Sequence, residues 1–302
     1  MDPKHLKFLL SKHLKYFYFQ IELFLHFIGT NSFYHVMRDA RGPSTHTVHR
    51  VVHRVSKAIN TLKADVVCWP EDCSKLAKSF FDLSGFPLVA GCLDGTHITI
   101  TPPANDEISY INWHHTHSLN VLAVCGPDLS IFYLNANHPG RCHDAHVLRQ
   151  SSLWRSFELD GNRPFPGAVL LGDSAYPLRQ WLLTPFGGDP EGAKGRYNVA
   201  HIRTRNVVER AFGVIKSRFF ALKTGIRLKD PAQASQLIIS AVILHNLCIR
   251  FGDKGQELDD TDNTDDLDTD RDEDPEPELQ EGGTATEIRE RRRTQILQFF
   301  QR

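Results

Sequence analysis

LVAGCLDGTHITI, residues 88–100, decides the fold. It is an apolar run that presents one acid, Asp94, followed at once by Gly95. A carboxylate inside such a run is costly to bury unless it is paired or holds a metal. AVLLGD, residues 168–173, repeats the pattern, an apolar strand ending in Asp173. A third acid, Glu209, lies in RNVVERAFGVIKSRFF, residues 205–220, which reads as helix. Two strand-borne aspartates and one helix-borne glutamate are the donors a two-metal phosphoryl-transfer site needs. Hard divalent cations take oxygen ligands, and a pair of them clamps the attacking and leaving oxygens.

Outward from the first strand, HSLNVLAVC (117–125) is a second strand, with its turn at Gly126-Pro127-Asp128, and 131–137 is a third. Sequential strands with short turns form an antiparallel meander. Pro139-Gly140 breaks the chain, 144–157 reads as a helix, 168–173 is strand four and 181–184 a short strand five. Residues 187–195 read as loop, 203–221 as a long helix, and 231–250 as another, bounded by Pro231 and Gly252. A crossover helix returns strand four beside strand one, which brings Asp94 and Asp173 together. The predicted class is α/β with a mixed sheet of α+β character, a ribonuclease-H-like core over residues 88–252.

Ahead of it, residues 1–62 read as helical and basic, with helices at 16–29 and 33–41, a break at Gly42-Pro43 and an N-cap at Ser44. In the helix after Ser44, Val48, Val51, Val52, Val55 and Ile59 share one face. The other face carries His46, His49, Arg50, His53, Arg54 and Lys57. Two helices joined by a tight turn, the second basic outside, are helix-turn-helix grammar, with Arg50, Arg54 and Lys57 toward DNA. A plain helical bundle with a solvated face is the competing reading. Residues 63–87 form a connection with one helix near 71–83.

Of the 302 residues, 41% are hydrophobic and 24% charged, which is globular composition. No apolar run looks long enough for a membrane span, so no membrane partner is expected. The N-terminus mixes charges into its apolar part and makes a poor signal peptide. Six cysteines without a CxxC pair read as reduced thiols of an intracellular protein. The net charge of −1 hides a split. Residues 253–281 hold 15 Asp/Glu against Lys254 and Arg271, a local −13, and leave 33 basic against 21 acidic residues elsewhere. Such a body suits a polyanion partner. Residues 253–285 are expected to be disordered and to compete with DNA for the basic surface. On that reading, cutting the chain after Arg250 leaves the core intact. Residues 286–302 are expected to form a short amphipathic helix whose Arg291-Arg292-Arg293 is an import signal or a solvated face.

The motifs together resemble a known family. GCLDGTHI (91–98), GRCHDAHVLRQSSL (140–153), LGDSAYPL (171–178), RNVVERAFGVIKSRF (205–219) and LHN (244–246) occur in the order seen in PIF/Harbinger transposases and the nucleases domesticated from them. The resemblance spans roughly residues 20–250. The 35 residues between Asp173 and Glu209 also suit DDE enzymes. It implies a metal-dependent DNA endonuclease with Asp94, Asp173 and Glu209 as catalytic acids and metal ligands for two Mg²⁺ or Mn²⁺ ions. It also implies a nuclear location, with a cytoplasmic pool left open, and a separate Myb/SANT-like DNA-binding partner. A homo-oligomer is left open. The alternative is a domesticated, non-cleaving DNA- or partner-binding protein that keeps the fold. The family's segment before the helix-turn-helix is usually longer than the one here, so a shortened N-terminus is expected.

Each site residue has a bland reading. Arg205 lies one turn before Glu209, and the two would form a surface pair worth a few tenths of a kcal/mol. Against that, Gly213 one turn later leaves room for a metal and a phosphate. Arg210, Lys216 and Arg218 either contact phosphates or are solvated. His143-Asp144 is expected to support the site or cap a helix rather than bind metal. His114, His115 and His117 lack a cysteine partner for zinc. Neutralising any one acid is expected to relieve repulsion, so that stability holds or rises.

Overall fold

The computed structural model describes residues 3–253 and 283–301, apart from residues 33, 35, 36, 38–41 and 74. Its centre is β1 (Val89–Thr99), whose first seven residues are all buried. A continuous apolar run is what a strand covered on both faces requires. Gly91 is needed there, since a Cβ would stand 2.4 Å from Val124 Cγ1. β2 (Ser118–Cys125) and β3 (Ile131–Pro139) complete the antiparallel meander. β4 (Val169–Leu171) and β5 (Leu182–Leu183) add on the other side, parallel to β1 and to each other. The sheet runs β3-β2-β1-β4-β5, so the expected meander and parallel return are both present.

The crossover is more broken than one helix over 144–157. α5 (Asp144–Arg149) stops at Gln150, and α6 (Ser152–Trp154) starts afresh because the Ser151 hydroxyl accepts from the Trp154 amide at 3.1 Å. A π-helical turn, Arg155–Leu159, follows. Numbered in chain order, the helices before the sheet are α1 (Pro3–Thr30), α2 (Thr45–Asn60), α3 (Lys63–Val66) and α4 (Leu76–Ser84). The last two lie in the stretch read as a connection with a single helix. After the sheet come α7 (Gly192–Arg218), α8 (Phe220–Thr224), α9 (Pro231–Arg250) and α10 (Gly283–Leu297).

α7 begins at Gly192, well before residue 203, so part of the expected loop is helix. Its first turns look polar in sequence, but they are fastened to the exit of β5. Asn198 bonds both the Phe186 amide and carbonyl, and the Tyr197 hydroxyl donates to the Thr184 carbonyl. The Gly195 that suggested a loop lies where Pro190 O approaches, 2.5 Å from where a Cβ would sit.

Ser44 caps α2 as expected, accepting from the Thr47 amide at 3.2 Å. Val48, Val51, Val52 and Val55 are buried while Arg50, Arg54 and Lys57 are exposed. The helix expected at 33–41 lies largely outside the described residues. α1 and α2 share one continuous core with the sheet. α2 is joined to α9 by a 2.8 Å hydrogen bond between the hydroxyls of Ser56 and Ser240. Contrary to the sequence reading, α9 is long and apolar enough to cross a membrane by composition alone. It is a core helix here, and its Asn246 side chain accepts from the Ile131 amide and donates to the Ile131 and Val66 carbonyls.

α10 and the 3₁₀ turn after it (Gln298–Phe300) dock on this core. Ile296 is buried, and the Phe300 ring stands 5.6 Å from Phe86 and 5.8 Å from Tyr197. Arg292 donates to the Gly167 carbonyl at 2.7 Å, and the Arg293 guanidinium lies 4.0 Å over the Phe186 ring. Two of the three arginines read as a solvated face or import signal are therefore half-buried packing groups. Cutting after Arg250 would strip part of the core, which corrects the expectation that it leaves the core intact. Of the stretch expected to be disordered, residues 283–285 are helical, and residues 254–282 lie outside the described residues.

Candidate functional site

β1 and β4 pair in parallel with Cys92 opposite Leu171. Asp94 and Asp173 each lie two residues further on, at matching steps along neighbouring strands. Asp94 is 5% exposed. Its Oδ1 accepts from the Gly95 amide at 2.9 Å. Asp173 follows the end of β4 and turns its own loop, its Oδ1 accepting from the Ala175 amide at 3.1 Å. Glu209 comes from α7, which packs on β1 and β4.

Arg205 joins these elements. Its Nη1 donates to Asp94 Oδ2 at 3.0 Å, and its Nη2 donates to Glu209 Oε1. The side chains of Arg205, Asp94 and Glu209 are 17%, 8% and 37% exposed, so the pair with Asp94 is the buried one. Burial by itself lowers the guanidinium pKa. The charges of Asp94, Glu209 and Asp173 more than offset this, and the net shift is upward. All three acids expected in the site thus act on one cation. Sequence reasoning saw Arg205 only as the i−4 neighbour of Glu209. Its contact with Asp94, 111 positions away, carried no local signal.

The oxygen-only donor set suits a hard divalent cation. In this arrangement the Arg205 guanidinium takes up the facing oxygens of Asp94 and Glu209. Among the described residues no three His, Cys, Asp or Glu side chains close into a metal-binding group.

Asp144 backs β1 from another side. Its Oδ1 accepts from Asn120 Nδ2 at 2.7 Å, and a Cβ on Gly95 would stand 2.6 Å from that same oxygen. The glycine next to Asp94 therefore lets a second buried acid close in against the strand. His143 occupies the N-cap position of α5 without a side-chain cap bond. His117 pairs with Glu107 at 2.9 Å, while His114 and His115 are exposed.

The basic residues distribute unevenly. Arg210 is exposed beside Glu209. Lys216 is half-buried and lines a small cavity with Thr96 and Ile98. Arg218 is tied to Asp253, donating to its Oδ1 and carbonyl at 3.1 Å each. Arg50, Arg54 and Lys57 are on α2, which packs mainly on α1 and α9.

Residues 93–246 match the family described as DDE superfamily endonuclease. The chain is 34% identical over 238 residues to the human protein named "Putative nuclease HARBI1", covering 77% of this chain and 67% of that one. The Xenopus laevis protein of the same name is 32% identical over 237 residues, 76% of this chain and 67% of its own. An Arabidopsis thaliana "Protein ALP1-like" is 26% identical over 246 residues, 77% of this chain and 60% of its own. No solved structure matches. The matched region begins just before Asp94 and ends on Asn246, so it holds all three acids and the arginine between them, and the chain belongs to the DDE superfamily endonucleases, among the Harbinger-derived nucleases.

Proposed function

We propose that the protein is a divalent-metal-dependent DNA endonuclease with a ribonuclease-H-like core, whose catalytic acids are Asp94, Asp173 and Glu209. The observation that carries this is the convergence of the three acids on one cationic position, from two adjacent strands and one packed helix. When bound, a pair of Mg²⁺ or Mn²⁺ ions would activate water and stabilise the departing 3′ oxygen. The chain's own part is to hold the acids. The strand pairing sets the Asp94 to Asp173 spacing, the Gly95 amide orients Asp94, and the turn bond to Ala175 orients Asp173. Arg210 and Lys216 flank Glu209 on α7 and would contact DNA phosphates.

The exposed Arg50, Arg54 and Lys57 face of α2, in a helix-turn-helix-like region, is proposed as a second DNA contact. A nuclear location and a Myb/SANT-like partner are proposed from the family alone. A non-cleaving DNA- or partner-binding role is favoured by one observation, that Arg205 already neutralises two of the acids. A plasmid-nicking assay with Mg²⁺ or Mn²⁺ separates the two. Cleavage by wild type that is lost in Asp173→Asn supports the nuclease. Absence of cleavage by wild type with either ion supports the binder.

A further inference from the structure

We propose that Arg205 is a built-in counter-ion that holds the place of a divalent cation among Asp94, Asp173 and Glu209, and that cation binding exchanges with it. The inference rests on the nuclease reading but makes a separate claim. One guanidinium spans two acids, with Nη1 on Asp94 Oδ2 at 3.0 Å and Nη2 on Glu209 Oε1. The other Asp94 oxygen already accepts from the Gly95 amide. A cation approaching from the α7 side therefore meets oxygens that Arg205 holds.

The exchange needs little rearrangement. Arg205 and Glu209 are one turn apart on α7, so the long side chain can swing out while the helix, and with it Glu209, stays in place. The benefit lies in the metal-free state. Three carboxylates facing a half-buried site repel one another, and a paired cation removes that repulsion. The protein can then fold before it meets metal. In exchange, its affinity for the ion is lower than three unpaired carboxylates would give.

Calorimetric titration of the full chain with Mn²⁺ at neutral pH tests this, alongside thermal melting in EDTA. Arg205→Gln should bind Mn²⁺ at least about tenfold more tightly than wild type, melt lower in EDTA, and regain stability as Mn²⁺ is added. Equal or weaker Mn²⁺ binding would overturn the proposal, because it would mean that Arg205 builds the acid geometry rather than competing for it. If Arg205→Gln does not fold in EDTA, Arg205→Lys carries the test. The ammonium keeps the charge but has a shorter reach and lacks the fixed fork of the guanidinium, so tighter binding is again expected and unchanged binding overturns. Asp173→Asn separates this inference from the function it rests on. If Asp173→Asn binds Mn²⁺ as wild type does, the acid-site reading fails and the exchange fails with it. Weaker binding by Asp173→Asn without tightening in the arginine variants sinks the exchange alone.

Discussion

Replacing Asp94 by Asn should abolish cleavage and also destabilise the metal-free protein. From sequence, loss of one charge among three acids promised unchanged or higher stability. The structure reverses the sign for this acid, because its partner is a buried guanidinium and not an empty site. The Arg205 to Asp94 contact is 3.0 Å, with side chains 17% and 8% exposed. Removing one partner of a buried pair costs about 3–5 kcal/mol. The Asn oxygen still accepts a hydrogen bond, and Arg205 keeps Glu209 and the field of Asp173, so a loss of roughly 2–3 kcal/mol is expected. Glu209 is 37% exposed, and its change to Gln should cost no more than about 1 kcal/mol. Asp173→Asn keeps an acceptor for the Ala175 amide but loses its pull on Arg205, and should cost no more than about 1 kcal/mol. Urea unfolding of the three variants in EDTA measures the order, with nicking assays run on the same preparations. An Asp94→Asn protein as stable as wild type, or more so, would refute the reasoning.

Four further outcomes follow from single observations. His201 and His245 are wholly buried, and burial pushes each down to about 4. An unfolded histidine protonates near 6.5, so stability is full above that pH and falls as pH drops toward 4, by roughly 3 kcal/mol per histidine. A urea midpoint that stays flat from pH 7 to 4.5 would contradict this. Asn246→Ala strands the Ile131 amide and carbonyl and the Val66 carbonyl, and should cost about 2–4 kcal/mol in the same assay. Changing Arg50, Arg54 and Lys57 together to Ala should flatten the log–log salt dependence of DNA binding by about three units if all three touch phosphates, and an unchanged slope assigns recognition to another surface. Replacing residues 254–282 by a neutral Gly/Ser stretch of equal length keeps α10 docked and should tighten DNA binding at low salt, with the gain fading as the Debye length drops below about 8 Å. Equal anisotropy curves at the lowest salt would show that the acidic stretch does not compete.

Local patterning was enough for the sheet. Buried strands write themselves as apolar runs, and a meander followed by a crossover leaves few topologies, so Asp94 and Asp173 could be placed on neighbouring strands from sequence. The third acid was legible as a helical residue in a recognisable motif, and the Ser44 cap and the valine face of α2 followed from spacing alone. What tertiary structure decided was which charges meet. An i,i+4 neighbour of Glu209 looks like a surface pair until the fold brings Asp94 to the same guanidinium, because long-range contacts leave no periodic trace. The start of α7 was hidden for a similar reason, since glycine and polar residues that favour a loop in isolation are held in helix by bonds to the end of β5. The C-terminal arginines read as solvated because helical spacing cannot say what a helix face will be laid against. Here that face meets Gly167 and Phe186, and the same charges become packing groups of the core.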